Sequence, residues 1–591
     1  MLSANLPHLV RAFVPASVRL VVFHNKHRPT FLSATESDTS NNNDQASTNT
    51  SGSCDVAIFG GGFGGLYTAL ALSRNARQRG QKLDIVLVEP SESFVFLPLL
   101  YDLTVGTATE AEVCPSYREL LQGTGIRHVR SSLQAINNLV ECTTTTTTTN
   151  NNNKSKQQIT LKPASPRAPH ELSCTASVIA VGASPESILS KIPGAEDYAQ
   201  PFYTAKDAKQ TRRLLRRLEE DPDNNNAPRV AIVGGGFGGV ELAASVKRKL
   251  PKAQVTLLSR GPPMAGTRAE PLVQQALEKL GVTVEECSVE ELEAVNDDND
   301  SNTRVTPRVI VKRKPWGLNG AEGETFDGEP WDSVMWTAGS RPSEPVREGL
   351  EELRKSDSGR LALDSSLRCF ICEQMEMTGE SEEDLRTVKR VKLEQPSIWA
   401  LGDCAEIVSV SGQAAVPKTA QAAMQQADVV ANNLLAQLEA SRNGKRVQFQ
   451  QFQYQDLGSM LSLGGPNAAL MAPREGSILA PILTPILDTA TEFLGFADKF
   501  LEATAGKSPV VDRFGLSPAT LGLSLGSHGL GVESGAAPGT LAGTLTGAAR
   551  RAVYAARMPT NRQRAVAATS AAISTAAALA KEAAARSEQS S

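Results

Sequence analysis

Two glycine-rich turns with the same glycine spacing are the clearest candidate functional motifs of this chain. The first follows an apolar strand pattern over Asp55–Phe59 and consists of Gly60, Gly61, Gly62, Phe63, Gly64 and Gly65. In such a turn the first glycine permits a tight bend, the second lets the backbone approach a pyrophosphate, and the third lets a helix pack closely on the strand. The N–H groups at the start of that helix attract phosphate. The spacing therefore predicts a cofactor-binding unit for a dinucleotide.

The same unit recurs later in the chain. A strand pattern over Arg229–Val233 leads into Gly234, Gly236 and Gly239, and a second strand is predicted over Gln254–Leu258. A repeat of the whole strand, turn, helix and strand is more specific than a lone glycine motif. Two such units predict one flavin and one nicotinamide nucleotide. The alternative is duplication of a scaffold that binds no ligand.

The residues that end the second strand of each unit differ in charge. Leu83–Val88 is followed by Glu89, whose carboxylate can accept hydrogen bonds from both ribose hydroxyls, whereas the later strand ends in Ser259 and Arg260. A carboxylate repels a 2′-phosphate, while a hydroxyl and a guanidinium bind it. We therefore predict NADPH as the donor, with NADH possible. The alternative is a surface arginine unrelated to cofactor choice.

Three further turns indicate the type of fold. Ser397–Leu401 is a strand pattern that leads into Gly402 and Asp403, and in flavoproteins with two dinucleotide sites such an aspartate reaches the ribityl chain of FAD. The turns at Gly182 and Gly339 resemble the crossovers that join the flavin and nicotinamide domains of such proteins. The order of these features predicts an α/β fold with two Rossmann-like dinucleotide-binding domains, one for FAD and one for NAD(P)H.

Composition excludes several other classes of protein. The 60 Lys and Arg residues against 64 Asp and Glu give a net charge of −4 over 591 residues, which argues against nucleic-acid binding. Eight cysteines are too few for a disulfide scaffold, and no cysteine pair of a disulfide reductase follows the first glycine-rich turn. Cys369 and Cys372 form a CxxC pair without a second pair, so we predict no metal site. The pair is incidental or a redox sensor.

The residues after Asp403 form the candidate acceptor site. Gln421 and Gln425 lie four positions apart in a predicted helix, so they share one helix face about one turn apart. Amide groups there can hydrogen-bond the carbonyl oxygens of a quinone; the alternative is a polar helix face with solvated glutamines. Lys418 can stabilise negative charge on the flavin or quinone, or it can be a surface lysine.

At this helix the chain resembles a known family. Ala420–Gln425 matches the AQxAxQ pattern of the type II NAD(P)H:quinone oxidoreductases. Further segments are similar to the plastid NAD(P)H dehydrogenase C branch, which includes demethylphylloquinone reductase: Phe94–Leu103, Gly123–Ile126, Pro201–Thr204, Phe452–Met460 and Arg557–Thr560. The likeness covers roughly Cys54–Ser574.

The resemblance implies a cofactor, a donor and an acceptor. They are FAD, NAD(P)H and a prenylated quinone, with the enzyme at a plastoglobule or thylakoid surface. It also implies that Pro98 lies in the cofactor-binding region and that Glu241 hydrogen-bonds the nicotinamide amide. A carboxylate held at a helix start by the helix dipole is the alternative for Glu241.

The chain divides into five predicted segments. They are a targeting peptide and disordered linker (1–53), the first part of the FAD-binding domain (54–200), the NAD(P)H-binding domain (201–345), the second part of the FAD-binding domain with the quinone-site helix (346–470), and a C-terminal membrane-associating or dimer region (471–591). The first 35 residues lack Asp and Glu, which is typical of an organelle transit peptide. We predict a plastid location, with the mitochondrion as the alternative.

Apolar patterns in the C-terminal region predict contact with a membrane. The stretch at 478–487 is apolar, and the predicted helix around Leu541–Ala549 places Arg550 and Arg551 beside Tyr554. Arginine and tyrosine next to an apolar helix side suit a membrane interface. The alternative is a pair of helices that packs on its own domain or on a second subunit, which leaves a homodimer possible.

Together these patterns predict an FAD-dependent NAD(P)H:quinone oxidoreductase that pumps no protons. The cofactors carry the chemistry, while the protein aligns the nicotinamide C4 atom with the flavin N5 atom. Two alternatives stay open. One is an NAD(P)H-dependent ferredoxin or dioxygen reductase of the same fold. The other is a flavin-binding lipid-droplet surface protein without turnover.

Overall fold

Two sheets, each leading into one glycine-rich turn, form the framework of the protein. The computed structural model describes residues 51–137, 156–166, 168–184, 189–220, 227–267, 269–295, 308–317, 320–321, 323–372, 397–408, 415–444, 446–464, 468–471 and 540–574. The predicted targeting segment, most of the linker that follows it and the apolar stretch at 478–487 lie outside the described residues. The first strand begins at Ser51, three residues before the predicted start of the fold at Cys54.

The first sheet is built from seven strands, of which the last comes from far along the chain. They are β1 Ser51–Phe59, β2 Ile85–Val88, β3 Arg127–Val129, β4 Ser131–Asn137, β5 Gln157–Pro163, β6 Glu171–Ile179 and β17 Ile398–Ala400. Their order is β3-β2-β1-β6-β5-β4, with β17 paired to β6. Ile179 lies in parallel register with both Phe59 and Ala400. The ends of β1 and β17 therefore meet at one edge of the sheet.

The second sheet repeats this arrangement for the second glycine-rich turn. Its strands are β8 Ala199–Pro201, β9 Arg229–Val233, β10 Gln254–Ser259, β11 Val282–Ala294, β12 Val309–Gly317, β13 Gly320–Ala321 and β14 Ser333–Trp336. The order is β13-β12-β11-β10-β9-β14-β8. Strand β9 is parallel to β10 and β14, whereas β12 pairs antiparallel with β11. The parallel strands read as continuous apolar runs because helices cover both faces of such a sheet.

Seven of the described strands form three small sheets apart from the two main ones. They are β7 Ala183–Ser184, β15 Arg341–Pro342, β16 Leu361–Leu363, β18 Ala405–Ile407, β19 Ser459–Ser462, β20 Ala468–Met471 and β21 Thr540–Gly543. Strands β7 and β15 pair antiparallel, directly after the two predicted crossovers. The crossovers thus run side by side between the two nucleotide-binding units.

Helices cover the sheets and carry the residues of the candidate site. They are α1 Phe63–Gln78, α2 Leu100–Val105, α3 Glu110–Val113, α4 Tyr117–Leu120, α5 Ala195–Tyr198, α6 Ala205–Glu220, α7 Phe237–Lys249, α8 Glu270–Leu280, α9 Ala420–Asn443 and α10 Thr544–Arg557. Single-turn segments lie at Leu97–Leu99, Pro345–Gly349 and Gly402–Cys404. Helices α1 and α7 start within the glycine-rich turns, directly after Gly62 and Gly236, as the motif predicts.

The C-terminal helices pack on the rest of the protein. Helix α10 lies against β20 and β21, and a further helix is described over residues 561–574. Ala555, Met558 and Ala567 are buried in the same apolar cluster as the central strands of the first sheet. Of the described helices, none combines the length and the apolar character that crossing a membrane requires.

Candidate functional site

Of the three motif glycines in the first turn, Gly60 and Gly65 have no room for a side chain, whereas Gly62 has. Gly60 has φ +95°, and a Cβ on it would lie 2.3 Å from the carbonyl oxygen of Ala180. A Cβ on Gly65 would lie 1.8 Å from the carbonyl oxygen of Gly60. Gly62 is the N-cap of α1, and a Cβ there would meet nothing within 4 Å. The open side at Gly62 lets a pyrophosphate reach the N–H groups of the helix start.

The second turn has the same pattern of closed and open positions. Gly234 has φ +121°, and a Cβ on it would lie 2.7 Å from Oγ1 of Thr337. A Cβ on Gly239 would lie 1.7 Å from the carbonyl oxygen of Gly234, while one on Gly236 would meet nothing within 4 Å. The two predicted units therefore share one geometry. Each leaves room for a phosphate-bearing ligand at its second motif glycine, which is Gly62 in the first turn and Gly236 in the second.

Glu89 is hydrogen-bonded to the backbone of the first turn. Its Oε2 accepts a hydrogen bond from the N–H of Gly61 at 2.7 Å, and its Oε1 accepts from the N–H of Ser91 at 2.9 Å. Each carboxylate oxygen keeps further acceptor capacity for a hydroxyl group. On the other side, the buried hydroxyl of Tyr117 donates to the carbonyl oxygen of Gly61 at 2.8 Å. Sequence reasoning missed Tyr117, because no local pattern links it to a turn 56 residues earlier.

The aromatic residue of the first turn belongs to the core. The ring of Phe63 lies 5.2 Å from the rings of both Phe94 and Phe96, and the residue is buried. Because the ring is buried, only the backbone N–H of Phe63 is available to bind a cofactor. At Gly64 a Cβ would lie 3.2 Å from the side chain of Leu401, so this glycine serves the close approach of α1 to the segment after β17.

The turn that contains Asp403 lies at the edge where β1 and β17 end. The buried Gln426 on α9 accepts a hydrogen bond from the N–H of Gly402 at 2.8 Å. Nζ of Lys418 donates to the carbonyl oxygen of Ala405 at 2.7 Å. These two side chains hold the turn from both sides. Gln426 was missed from the sequence, although it directly follows Gln425.

Electrostatics around Asp403 suit a polar ligand group. Burial raises the pKa of Asp403, while the cationic Lys418 and Arg360 oppose that shift. Burial in turn lowers the pKa of Lys418, and Arg360 lowers it further. Lys418 is an exposed residue, as the surface-lysine alternative expects, and its positive charge acts on the nearby Asp403.

Gln421 binds a loop of the chain itself. Its Oε1 accepts hydrogen bonds from the hydroxyl of Tyr454 at 2.7 Å and from the N–H of Leu457 at 3.1 Å. Its Nε2 donates to the carbonyl oxygen of Gly458 at 3.1 Å. Both ends of this amide are thus occupied by the segment that leads into β19.

Gln425 repeats this contact one turn later on α9. It accepts from the N–H of Gln455 at 2.9 Å and donates to the carbonyl oxygen of the same residue at 2.8 Å. The sequence predicts that the amides of Gln421 and Gln425 hydrogen-bond a quinone, and in this structure both amides bind the chain's own loop. A chain segment 30 to 37 residues away covers that helix face. The two glutamines instead position the loop at 454–458.

Glu241 lies on α7, one turn beyond the second glycine-rich turn. Its Oε1 accepts a hydrogen bond from the N–H of Ser462 at 2.7 Å, and the residue is buried. Burial raises the pKa of Glu241 to about 8, although the positive charge of Arg550 lowers it. The carboxyl group therefore carries a proton for much of the time near neutral pH.

Two buried arginines reach this region from α10. Arg550 donates to the carboxylate of Asp102 at 2.6 Å, and Arg551 donates to both oxygens of Glu112 at 2.8 and 3.0 Å. The exposed fractions of Arg550 and Arg551 are 1% and 6%. This corrects the expectation that the arginine pair lies at a membrane interface. The helix packs on its own domain, which was the alternative.

The remaining predicted residues lie in the two crossovers, beside α10 and after β10. Gly182 and Gly339 have φ +67° and +71° in the two crossovers. The carbonyl oxygen of Pro98 accepts a hydrogen bond from Arg550 at 3.2 Å, so this residue lies beneath α10. Ser259 is buried, and a Cβ on Gly235 would lie 1.9 Å from its Oγ. The next residue, Arg260, is exposed.

The arrangement of these units matches a known family. The family model described as pyridine nucleotide-disulphide oxidoreductase matches residues 54–427. The chain belongs to this family. The match spans both glycine-rich turns and the Asp403 turn and ends within α9.

Curated relatives narrow the family to one group. The "Alternative NAD(P)H-ubiquinone oxidoreductase C1, chloroplastic/mitochondrial" of Arabidopsis thaliana is 31% identical over 428 residues, 70% of this chain and 72% of that one. The "Demethylphylloquinone reductase NdbB" of Synechocystis sp. is 31% identical over 419 residues, 70% of this chain and 86% of that one. The predicted resemblance to the type II NAD(P)H:quinone oxidoreductases is thereby confirmed.

A solved structure shows the same fold. The NDH2 of Plasmodium falciparum, in complex with NADH, superposes with a TM-score of 0.51 at 17% identity, covering 76% of this chain and 94% of that one. The predicted fold, with two dinucleotide-binding units in one chain, is confirmed. FAD and NAD(P)H are the cofactors that this family implies, and the open sides at Gly62 and Gly236 fit two such dinucleotides.

Proposed function

We propose that the chain is an FAD-dependent NADPH:quinone oxidoreductase whose acceptor is a prenylated quinone of the plastoquinone or demethylphylloquinone class. The observation that carries this proposal is the pair of glycine-rich turns. In each turn the first and third motif glycines have no room for a side chain, whereas the second, Gly62 or Gly236, faces open space. One chain thereby provides two dinucleotide sites. The relatives named as NAD(P)H-ubiquinone oxidoreductase and demethylphylloquinone reductase support the choice of a quinone.

Residues 54–200 and 346–470 hold FAD in this proposal. The helix start at Gly62 binds the pyrophosphate, Glu89 accepts from the ribose hydroxyls, and Asp403 reaches the ribityl chain. Lys418 places a positive charge close to Asp403. Bound FAD supplies the two-electron relay between a nicotinamide and a quinone, which no protein side chain provides.

Residues 201–345 hold the nicotinamide nucleotide over the second turn. In this proposal Glu241 contacts the nicotinamide amide, and its position on α7 directly beyond that turn supports the role. With its pKa raised to about 8 by burial, the carboxyl group can donate a hydrogen bond at neutral pH, which an ionised carboxylate cannot do. The N–H of Ser462 fixes the other oxygen. Glu241 thus orients the donor.

Gln421 and Gln425 shape the acceptor side through the loop they hold. They anchor residues 454–458, whose Tyr454 is half-exposed and hydrogen-bonded to Gln421. In this proposal the quinone enters beside this loop and reaches the flavin edge near Lys418. The glutamines act as positioning residues and not as direct ligands.

The location and assembly of the protein follow from the acceptor. Prenylated quinones reside in lipid, so we propose peripheral association with a plastoglobule or thylakoid surface in the plastid, with the mitochondrion as the alternative compartment. The acid-free N-terminal segment and a relative named chloroplastic/mitochondrial support an organelle. Arg550 and Arg551 are buried, so they do not contact lipid in this proposal. A homodimer stays a proposal.

An acceptor competition tests the quinone assignment. The purified full-length protein is reduced anaerobically with NADPH, and decylplastoquinone, ferredoxin or dioxygen is then added separately. We expect fast flavin reoxidation with the quinone and slow reoxidation with the other two. Reoxidation fastest with ferredoxin or dioxygen would assign the rival reductase. No reduction by NADPH or NADH would leave a flavin-binding protein without turnover.

A further inference from the structure

An arginine and a tryptophan meet at the end of the second glycine-rich unit. The Cζ atom of Arg260 lies 5.6 Å from the centroid of the Trp316 ring, within the range of a cation–π interaction. A Cβ on Gly261, the next residue, would come 4.0 Å from Cδ1 of Trp316. The indole of β12 therefore lies beside the turn that follows β10.

This turn occupies the place that binds the adenosine ribose in the first unit. In each unit the N–H of the first glycine donates to the carbonyl oxygen of a strand residue, Val88 at 2.9 Å and Leu258 at 2.8 Å. Glu89 and Ser259, which follow these residues, are therefore equivalent, and Arg260 comes one position later. Where the first unit has a carboxylate for a 2′-hydroxyl, the second has a buried hydroxyl and then an exposed cation.

Arg260 differs from two cations of strand β12, in the same sheet, in having no carboxylate partner among the described residues. Lys312 pairs with Glu291 at 3.1 Å, and Arg313 pairs with Glu285. Among the described carboxylates, by contrast, none pairs with Arg260. An exposed guanidinium that stacks on an indole and lacks a carboxylate partner keeps its donors available for an anion.

The β12–β13 hairpin holds the tryptophan in place. Trp316 and Ala321 are register partners across this hairpin, and a Cβ on Gly320 would lie 3.9 Å from Cη2 of the indole. The ring thus spans from the hairpin to the turn at Gly261. Trp316 supports the guanidinium from one side, so that the plane of Arg260 is positioned before a ligand arrives.

We propose that Arg260 and Trp316 together bind the adenosine 2′-phosphate end of NADPH. The N–H groups of Arg260 donate to the phosphate oxygens, and the adenine stacks on the guanidinium that Trp316 supports. This inference rests on the proposed use of NAD(P)H. It adds Trp316, whose role has no signal in the glycine motif, as a specificity-determining residue.

Tryptophan emission gives a readout that is independent of turnover. The chain has four tryptophans, and Trp331, Trp336 and Trp399 are buried with exposed fractions of 3%, 3% and 0%. Trp316 is the half-exposed one. A ligand that settles on Arg260 should therefore change the emission of Trp316 and leave that of the other three nearly constant.

The experiment titrates the full-length, FAD-loaded protein with 2′,5′-ADP and with 5′-AMP, two probes that lack a nicotinamide. Emission and calorimetry are recorded for the wild type, Arg260→Gln, Trp316→Phe and Trp316→Ala. Arg213→Gln is the matched control, because it removes an exposed arginine of the same domain with the same change in net charge.

We expect 2′,5′-ADP to bind at least tenfold more tightly than 5′-AMP and to change the emission. Arg260→Gln should abolish that preference, and Trp316→Ala should weaken 2′,5′-ADP binding by roughly fivefold, as for an exposed cation–π contact. Trp316→Phe should bind with nearly wild-type affinity without the emission change, and Arg213→Gln should behave as the wild type.

Two results would overturn the inference. One is equal affinity of the wild type for 2′,5′-ADP and 5′-AMP; the other is an unchanged preference in Arg260→Gln together with wild-type binding by Trp316→Ala. In either case, flavin reduction by NADH or NADPH would still support the proposed oxidoreductase. Loss of flavin reduction with both donors, with 2′,5′-ADP binding intact, would instead contradict the proposed function and leave this binding site standing.

Discussion

The guanidinium of Arg550 donates to the carboxylate of Asp102 at 2.6 Å, and the two side chains are 1% and 2% exposed. The residues lie 448 positions apart in the chain. Helix α10 is thereby joined to α2 of the first unit through a buried ion pair. The same arginine lies close enough to Glu241 to oppose the rise of its pKa. The C-terminal helix is therefore part of the site region and not an appended anchor.

Breaking this pair on one side should strongly destabilise the protein. Arg550→Met removes the shorter of the two arginine contacts of the buried Asp102 and leaves Arg551 at 3.4 Å. Loss of one member of a buried ion pair costs about 3–5 kcal/mol, and we expect a loss toward the lower end of that range because Arg551 remains. Chemical denaturation followed by circular dichroism measures the change in the free energy of unfolding. The matched control is Arg562→Met, whose partner Glu119 lies 3.5 Å away in an exposed pair, where about 0–1 kcal/mol is expected. Equal losses for the two variants would contradict the importance of the buried pair.

The raised pKa of Glu241 predicts how stability depends on pH. Burial lifts this pKa from 4.5 to about 8, so between these values the folded state retains a proton that the unfolded chain releases. The contribution of Glu241 to the free energy of unfolding is therefore least unfavourable below about pH 4.5. As the pH rises from there to about 8, this free energy falls by at most about 1.4 kcal/mol per pH unit. Glu241→Gln should lose less stability over this range. Parallel pH curves for both proteins would refute the buried, protonated carboxyl group.

The glycines of the first turn should separate into two classes. Gly60→Ala and Gly65→Ala place a Cβ 2.3 and 1.8 Å from carbonyl oxygens, so both variants should be insoluble or strongly destabilised. Gly62→Ala adds a methyl group to open space and should fold. It should nevertheless retain less FAD, because the methyl group occupies the approach of the pyrophosphate. The flavin-to-protein ratio measures this, and full flavin content in Gly62→Ala would place the cofactor elsewhere.

Gln421 should act on the acceptor half-reaction through the loop. Gln421→Leu removes the hydrogen bonds to Tyr454, Leu457 and Gly458, so hydrogen exchange at 454–458 should increase. Stopped-flow measurements should show flavin reduction by NADPH nearly unchanged and reoxidation by decylplastoquinone slowed about tenfold or more. Tyr454→Phe isolates the single hydroxyl contact. A slowed reduction with unchanged reoxidation would contradict a positioning role on the acceptor side.

Local sterics explain which parts could be predicted from the sequence. Gly65 and Gly239 are required by a contact within their own turn, with the carbonyl oxygen of the first motif glycine, so the motif predicts this local geometry. The first motif glycine of each unit has a positive φ, which the motif also encodes locally. The position of the Asp403 turn depends instead on long-range strand pairing, since β17 ends at the edge where β1 ends.

Contacts between distant segments explain what was missed. The amides of Gln421 and Gln425 are taken by a loop that no periodicity marks, and Arg550 and Arg551 find acids more than 400 residues away. An arginine pair beside apolar residues has the same pattern in a membrane-facing helix and in a helix held by buried acids. Asp102 and Glu112, both buried in short helices, were the available signal.

The measurement that tests the central claim most directly is an anaerobic titration of the purified full-length protein with NADPH, followed by flavin absorbance. We predict a yellow protein with one flavin per chain, which bleaches at about one equivalent of NADPH and regains its colour on addition of decylplastoquinone. A protein that is colourless and takes up no FAD, or one whose flavin stays oxidised with NADPH and NADH alike, would contradict the assignment of two communicating dinucleotide sites.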